Sequence, residues 1–454
     1  MEVISLFAGC GGLDLGFRRA GFNVKWANEN DLSIHKTYLY NHPQTVLNTS
    51  DIRILKESEI PDCDGIIGGP PCQAWSLGGM SLGLNDERGR LIYDYIRIVK
   101  WKRPKFFIME NVPGMVCSKH IETFLGFLRM FSKIGYKVKY KLINAADFKI
   151  PQDRLRIFVV GIRDDINVEY FFPVSINQKH ITLAQAIGDL KYYQPRPYYV
   201  ENVIQKDEQI PNHDYYTGSF TQKFMARNRV RSWNEQSFTI QAQAGNVPLH
   251  PQAPKMLYVS ANERKFAIGY ESEYRHLSVR ECARIQSFPD DFYFIYDNIK
   301  DAYKMVGNAV PPRLSYLMAV SIKKCLDNTF CNVLVGYVKS ERDLDLIVRH
   351  KIYYVRRGSR VGAMQRSQIE NNIKILYLHR GDKRYAFELA DEKVISCNND
   401  YLKKLGFTPS GNEYWIFNIS KEINDIENLA QIIENKCKLI KKPIIIKISS
   451  NVIS

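Results

Sequence analysis

Short apolar runs alternate along the first part of the chain with segments whose apolar positions recur every three or four residues, the signature of strands alternating with amphipathic helices. Val3 to Phe7 reads as a strand running into the glycine loop Ala8 to Gly12, and Leu13, Leu15, Phe17 and Ala20 mark a helix behind it. Further strands are predicted at Val24 to Ala27, around Val46, up to Ile67, and at Lys105 to Met109, with a helix from Tyr93 to Lys100. A helix near Ile121 to Ile134 and strands at Tyr136 to Ile143 and Ile157 to Gly161 continue the series. This order predicts an α/β fold, a parallel sheet covered by helices with ligands bound at the strand C-termini.

From about Thr182 the alternation fades. The expected boundaries are a catalytic, cofactor-binding domain over 1–181, a smaller β-rich domain over 182–304, and a returning helix of the first domain over 305–326. Arg280 to Phe292 reads as a helix ending in a Phe-Pro-Asp-Asp turn, and Leu314 to Leu326 as an apolar helix packing beside the first strand. Apolar runs at Val333 to Val338, Ile352 to Val355, Ile373 to Leu378, Tyr385 to Leu389 and Glu413 to Ile419 follow. With a helix near Ile423 to Cys437 and a strand near Pro443 to Ile448, they predict an extra C-terminal α+β domain over 333–454.

Composition narrows the partners. The 454 residues are 45% apolar and 24% charged, as in a globular chain of two or three domains. Lys plus Arg number 63 against 48 Asp plus Glu, a formal charge of +15. That balance favours a polyanion, nucleic acid ahead of an anionic membrane surface, although solvated lysine faces give the same count. Nine cysteines without a CxxC pair argue against a disulfide framework or a zinc ribbon, so no metal is expected and the thiols read as reduced and cytoplasmic. No signal peptide and no membrane-spanning apolar run are visible.

Chemistry-bearing residues gather at the predicted strand ends. Gly9, Gly11 and Gly12 allow backbone to approach a ligand, and Glu29, about twenty residues on, is placed to bind ribose hydroxyls; tight turns alone also use glycine. Asp51 follows the strand around Val46, and Glu110 the strand ending at Met109. Gly68 to Ser76 reads GGPPCQAWS, where Pro70 and Pro71 give Cys72 a rigid, non-helical presentation suited to a nucleophile. A cysteine taken singly is more commonly packing. In Gln152 to Arg156, alternation puts Arg154 and Arg156 on one side of a strand.

This ordered set resembles the DNA (cytosine-5) methyltransferases of bacterial type II restriction-modification systems. The matching blocks are SLFAGCGGLDLGF from Ser5, PPCQAWS from Pro70, ENV from Glu110, QDRLR from Gln152, RECARIQSFPDDF from Arg280 and GNAVPP from Gly307. Trp75 stands where the family often has Phe. The resemblance implies a Rossmann-like S-adenosylmethionine-dependent sheet, with S-adenosyl-L-methionine held by Phe7, Gly9, Gly11, Gly12, Glu29, Asp51, Ile52, Pro70, Leu91 and Asn308. It implies chemistry at Cys72, Glu110, Arg154 and Arg156, with Arg156 paired to the cytosine O2. A thiolate adding to C6 makes C5 nucleophilic, and a carboxyl with a raised pKa can serve N3. The base must leave the stack to be reached.

In the family the interval after Thr182 recognises the target. Arg227, Arg229 and Arg231 alternate as on a β ribbon able to face guanine edges, and Gln241 and Gln243 follow; phosphate contact serves the arginines equally well. FMARNRVRSWNEQSFTIQAQ and LHPQAPKM resemble the enzymes that modify GGCC, but this chain departs from them in having Gly245 and Asn246 where they carry an Arg. The expectation is a GGCC-like site in double-stranded DNA, bound by a monomer and shared with a cognate restriction endonuclease that need not bind the enzyme. A tRNA cytosine-5 methyltransferase and a non-catalytic DNA-binding regulator remain open on the same fold, whereas a nicotinamide oxidoreductase leaves the PPCQ and ENV loops unexplained. In the C-terminal domain, Lys and Arg interleaved with Tyr353 and Tyr354 suggest a nucleic-acid reader or a solvated face, and Glu434 to Lys436 is an isolated ExK of nuclease type.

Overall fold

The computed structural model describes residues 1–71, 87–166, 168–175, 180–198, 210–327, 330–356, 373–380, 382–389, 395–409, 413–423, 429–431, 433 and 444–449. They form two compact units, Met1–Ile322 and Lys323–Ser454.

The first unit opens with β1 (Glu2–Leu6), α1 (Gly12–Arg19), β2 (Asn23–Asn28), α2 (Leu32–Asn41), β3 (Val46–Asn48), β4 (Gly65–Gly68) and α3 (Glu87–Lys102). It continues with β5 (Phe106–Asn111), α4 (Ile121–Lys133), β6 (Tyr136–Asn144) and β7 (Leu155–Arg163). Seven strands make one sheet in the order β3-β2-β1-β4-β5-β7-β6. β1 to β5 pair in parallel, and β7 runs antiparallel to both β5 and β6. The α/β class is as expected, but the sheet is mixed rather than wholly parallel. A run such as Phe106–Met109, buried on both faces, carries no mark of direction, so the reversal was not readable.

Apolar side chains from the helices close the sheet. Phe131 of α4 stacks on Phe107 of β5 at 4.2 Å between ring centroids, and the Tyr95 hydroxyl of α3 donates to the Ile108 carbonyl at 2.8 Å. This core fixes the C-terminal ends of β1, β2, β4 and β5 on one edge, where the candidate residues lie.

After β7 come α5 (Leu183–Ile187), β8 (Arg196–Pro197), β9 (Asp214–Tyr215), α6 (Gln222–Met225), β10 (Leu257–Ser260), β11 (Glu263–Lys265), α7 (Val279–Ile285), α8 (Ile299–Asn308) and α9 (Pro312–Leu326). Described strand here is confined to the pairs β8–β9 and β10–β11 and a few isolated bridges, less than the β-rich interval expected. Buried charged side chains do what a ladder would do. Arg280 donates to the carbonyls of Pro211, Pro289 and Phe292, drawing two loop segments onto α7. α7 is shorter than expected: the chain turns at Ser287, φ 65°, before Pro289 can continue it.

The second unit contains β12 (Phe330–Tyr337), α10 (Glu341–His350), β13 (Ile352–Arg356), β14 (Ile373–Arg380), β15 (Lys383–Leu389), β16 (Ile395–Asn398), α11 (Asn399–Lys404), β17 (Glu413–Ile423) and β18 (Ile444–Ser449). Its sheet runs β13-β17-β15-β14-β12-β18, with β16 also on β17. Two of the expectations change. Ile423 ends a strand rather than starting a helix, and Tyr353 is buried among core residues instead of facing a ligand. Arg357, Arg360 and Glu434 to Lys436 lie outside the described residues.

Candidate active site

The loop between β1 and α1 turns through positive φ at Phe7 (54°), Gly9 (56°) and Gly11 (86°). The Gly9 N–H donates to Glu29 Oε2 at 2.9 Å, and the Asp31 N–H donates to Oε1 at the same distance. Both carboxyl oxygens of Glu29 are therefore oriented by backbone, while burial raises its pKa. At Gly11 a Cβ would fall 2.1 Å from His42 Nε2, so only glycine lets the loop rest on that imidazole. Beneath the loop Asp14 accepts from Ser5 Oγ and the Tyr38 hydroxyl, each at 2.6 Å, and burial pushes it up to about 6.

A cavity of about 450 Å³ opens above this loop, lined by Phe7, Gly9, Gly12, Glu29, Asp51, Ile52, Pro70, Leu91, Glu110 and Asn308. Gly11 is the exception among the expected cofactor residues: it faces His42 rather than the cavity. Asp51 caps the turn Ile52–Ile54 and pairs with Arg53 Nη2 at 2.5 Å. Asn308 arrives on α8, so the cavity closes only when the far end of the unit folds back.

Glu110, at the end of β5, reaches the same cavity. Its Oε1 lies 3.1 Å from Arg156 Nε, with both side chains nearly shielded from water. Beyond that ion pair Oε1 accepts no hydrogen bond among the described residues. Burial raises the Glu110 pKa, opposed by Arg156 and then Arg154. Arg156 Nη1 donates to the Leu155 carbonyl at 2.7 Å. A Cβ on Gly69 would come 3.2 Å from Glu110 Oε2, and Asn111 Nδ2 donates to the Pro70 carbonyl at 3.1 Å. The backbone thus arrives beside the carboxyl two residues before Cys72, which itself lies outside the described residues, as does Trp75.

Arg154 does not share that position. It is buried, and its guanidinium donates to the carbonyls of Ile240, Gly307 and Ala309 at 3.1, 2.8 and 3.0 Å. Its geometry is that of a clamp between β7, the interval after Phe238 and the end of α8, with its charge still felt at Glu110. Gln152 and Gln286 complete the clamp: Gln152 Nε2 donates to Gln286 Oε1 at 2.9 Å, and Gln286 Nε2 to the Val306 carbonyl at 2.8 Å.

The arginines expected on a β ribbon lie on irregular backbone around the single bridge Val230↔Leu249. Arg229 donates to the carbonyls of Phe224 and Lys223, and Arg231 pairs with Asp153 and Glu235 at 3.1 and 3.2 Å. Arg227 is exposed. Gln241 is exposed, while Gln243 is exposed beside a second cavity and accepts from Asn246 Nδ2 at 2.6 Å. His42 and Lys304 were missed, each single in the sequence without a spacing partner to mark it, while Asp14, Gln152 and Gln286 stood inside the matching blocks without a role assigned to them.

Residues 1–324 match the model of the family described as C-5 cytosine-specific DNA methylase. The chain belongs to that family. This methyltransferase is 50% identical over 328 residues to type II methyltransferase M.MthTI of Methanothermobacter thermautotrophicus, covering 72% of the chain and 98% of that enzyme. It is 49% identical over 331 residues to type II methyltransferase M.NgoPII of Neisseria gonorrhoeae, covering 72% and 96% respectively. Its fold is shared with Entamoeba histolytica methyltransferase EhMeth, at TM-score 0.51 and 20% identity over 71% of this chain and 98% of that one.

The methyltransferase uses S-adenosylmethionine. The cavity suits it: open backbone at Gly9, where a Cβ would meet nothing within 4 Å, an oriented carboxyl at Glu29, and apolar walls from Phe7, Ile52 and Leu91.

Proposed function

We propose that this methyltransferase acts on a cytosine flipped out of a short, specific site in double-stranded DNA, through a covalent adduct with Cys72. The observation that carries the reading is that Glu110, paired with Arg156, lines the same cavity as the glycine loop and Glu29. Bound S-adenosylmethionine supplies the methyl group. Cys72 as thiolate adds to C6 of the base, making C5 nucleophilic. Glu110, its pKa raised by burial, presents a proton to N3 as the ring becomes electron rich. Arg156 Nη2, without a partner among the described residues, is available to O2. Once C5 carries the methyl group, water takes the C5 proton, the electron pair restores the C5–C6 double bond, and the C6–S bond breaks to release Cys72 as thiolate. Flipping the base costs a few kcal/mol.

Phe7, Gly9, Gly12, Glu29, Asp51, Ile52, Pro70, Leu91 and Asn308 hold the cofactor in this reading, with Gly11 shaping the loop. The interval 182–304 reads the target, with Arg227 foremost. The site is GGCC or a relative beginning GG, supported by the FMARNRVRSW and LHPQAPKM segments. In this reading the enzyme protects that site from a cognate restriction endonuclease and works as a monomer.

Transfer of labelled methyl from S-adenosylmethionine to unmethylated duplex DNA and to tRNA, with Cys72→Ala alongside, tests this reading. Label at one short palindrome, abolished by Cys72→Ala, supports it and supplies the site. Label in tRNA alone overturns the substrate, and an active Cys72→Ala enzyme overturns the nucleophile.

A further inference from the structure

α8 carries a lysine on the wall of two cavities. Lys304 lines the cavity above the glycine loop and a neighbouring cavity of about 500 Å³ lined by Tyr216, Ser219, Thr221, Gln243 and Lys300. Its ammonium has three protons to give and three acceptors to take them. Asp31 Oδ2 lies at 2.8 Å, Ser33 Oγ at 2.8 Å and Asp301 Oδ1 at 3.1 Å. Two of these belong to the start of α2, across from α8.

Asp31 is already committed at its other oxygen. Oδ1 accepts from the Ser33 N–H and hydroxyl, capping α2. The Asp31 amide donates to Glu29 Oε1, and Glu29 Oε2 accepts from Gly9. A continuous relay therefore runs from α8 through Asp31 and Glu29 to the glycine loop, and every member lines the same cavity.

We propose that Lys304 is a positioning residue for the cofactor, holding Asp31, and through it the Glu29 carboxyl, from the α8 side of the cavity. The inference rests on the reading that this cavity holds S-adenosylmethionine with Glu29 at its ribose. Electrostatics give the strap its purpose. Asp31 is an anion close enough to Glu29 to oppose its ionisation, and the Lys304 ammonium neutralises that anion while fixing it in place. Packing does not need the amine. α8 is held by buried Ile299, Ala302, Tyr303, Met305 and Val306, and the Lys304 side chain keeps 32% of its surface exposed. Removing the charge should loosen Glu29 without unfolding the helix.

The test is equilibrium binding of S-adenosylmethionine to the full-length chain, together with kcat and KM for labelled methyl transfer. Lys304→Met raises Kd and KM for the cofactor about tenfold, the cost of one charge-assisted hydrogen bond. At saturating cofactor its kcat stays within about threefold of the parent. Lys304→Arg recovers most of the affinity. Asp31→Asn, which keeps the helix cap, weakens binding to a similar degree, and the double variant is no weaker than either single one. Cofactor affinity unchanged in Lys304→Met, a loss confined to kcat, or additive single effects each overturn the proposal. A loss that tracks a fall in Tm and is not rescued by Arg marks a merely structural lysine and overturns it too. Failure of the parent chain to bind S-adenosylmethionine would instead bring down the assignment of the cavity.

Discussion

Arg156 Nε and Glu110 Oε1 stand 3.1 Å apart where Glu110 lines the cavity, in a place where burial alone drives the carboxyl toward its neutral form. The arginine opposes burial and so sets how much of Glu110 is protonated at a given pH. Glu110→Gln keeps the shape and removes the titrating proton, and a fall in kcat of about 10²- to 10⁴-fold is expected. Arg156→Ala takes away the cation that holds the Glu110 pKa down, so the carboxyl's limb in the pH–kcat profile moves to higher pH. A limb that stays in place in Arg156→Ala would separate the two residues.

Arg154, two positions earlier and just before β7, is expected to behave differently. Three carbonyls from Ile240, Gly307 and Ala309 depend on its guanidinium. Arg154→Leu leaves these acceptors short of donors inside the protein, at a cost of roughly 3 kcal/mol or more. Thermal unfolding should show this as a lowered Tm. Because the fork geometry reaches several carbonyls at once, Arg154→Lys should restore only part of it. An unchanged Tm in Arg154→Leu would refute the clamp.

Among the arginines proposed for recognition the structure separates surroundings that the sequence presented as equal. Arg231 is tied to Asp153 and Glu235, and Arg229 to two backbone carbonyls, whereas Arg227 is exposed. Arg227→Ala is therefore expected to weaken duplex binding with the fold intact. If Arg227 meets a phosphate, the slope of log K against log salt falls by about 1 and all sequences lose equally; if it meets a base, discrimination falls at one position. Arg231→Ala should lower the Tm as well as the affinity. Binding isotherms across a salt series distinguish these outcomes.

Much of the cavity was legible because its residues sit at strand ends that hydrophobic patterning reveals. Gly9, Glu29, Asp51 and Glu110 each follow a strand whose existence the apolar runs announce, and a parallel sheet brings such ends to one edge. Strand direction was not legible at β7, since a doubly buried run reads the same either way. Nor were the long-range clamps. The partners of Arg154 lie 86 to 155 residues away, and a carbonyl acceptor has no residue type to betray it. Arg227 to Arg231 misled for a related reason: alternation of charge is compatible with a ribbon, but here Phe224 and Glu235 supply local partners that irregular backbone can reach.

The pair of Arg275 and Glu281 makes acid stability a property of the interval 182–304. Arg275 meets Glu281 through two hydrogen bonds of 2.8 Å, and His250 Nε2 lies 3.4 Å from the same carboxyl. Burial would raise the Glu281 pKa, yet Arg275 overrides it and holds the group down to about 2. Its contribution is thus present above the ordinary value of 4.5 and lost as pH falls toward 2. Burial also depresses His250 from 6.5 to about 4, so the unfolded chain takes up its proton first and stability declines as pH falls through that window. Tm should therefore drop from near pH 6.5 downward, and further below 4.5. Arg275→Met leaves a buried carboxylate unpaired and costs about 3–5 kcal/mol at neutral pH. Without its cation, Glu281 titrates at higher pH, and protonation relieves the strained charge. The gap in stability between parent and Arg275→Met should consequently narrow as pH is lowered, and it should shrink at neutral pH when Glu281→Gln is added. A gap independent of pH would mean that Arg275 acts through packing alone.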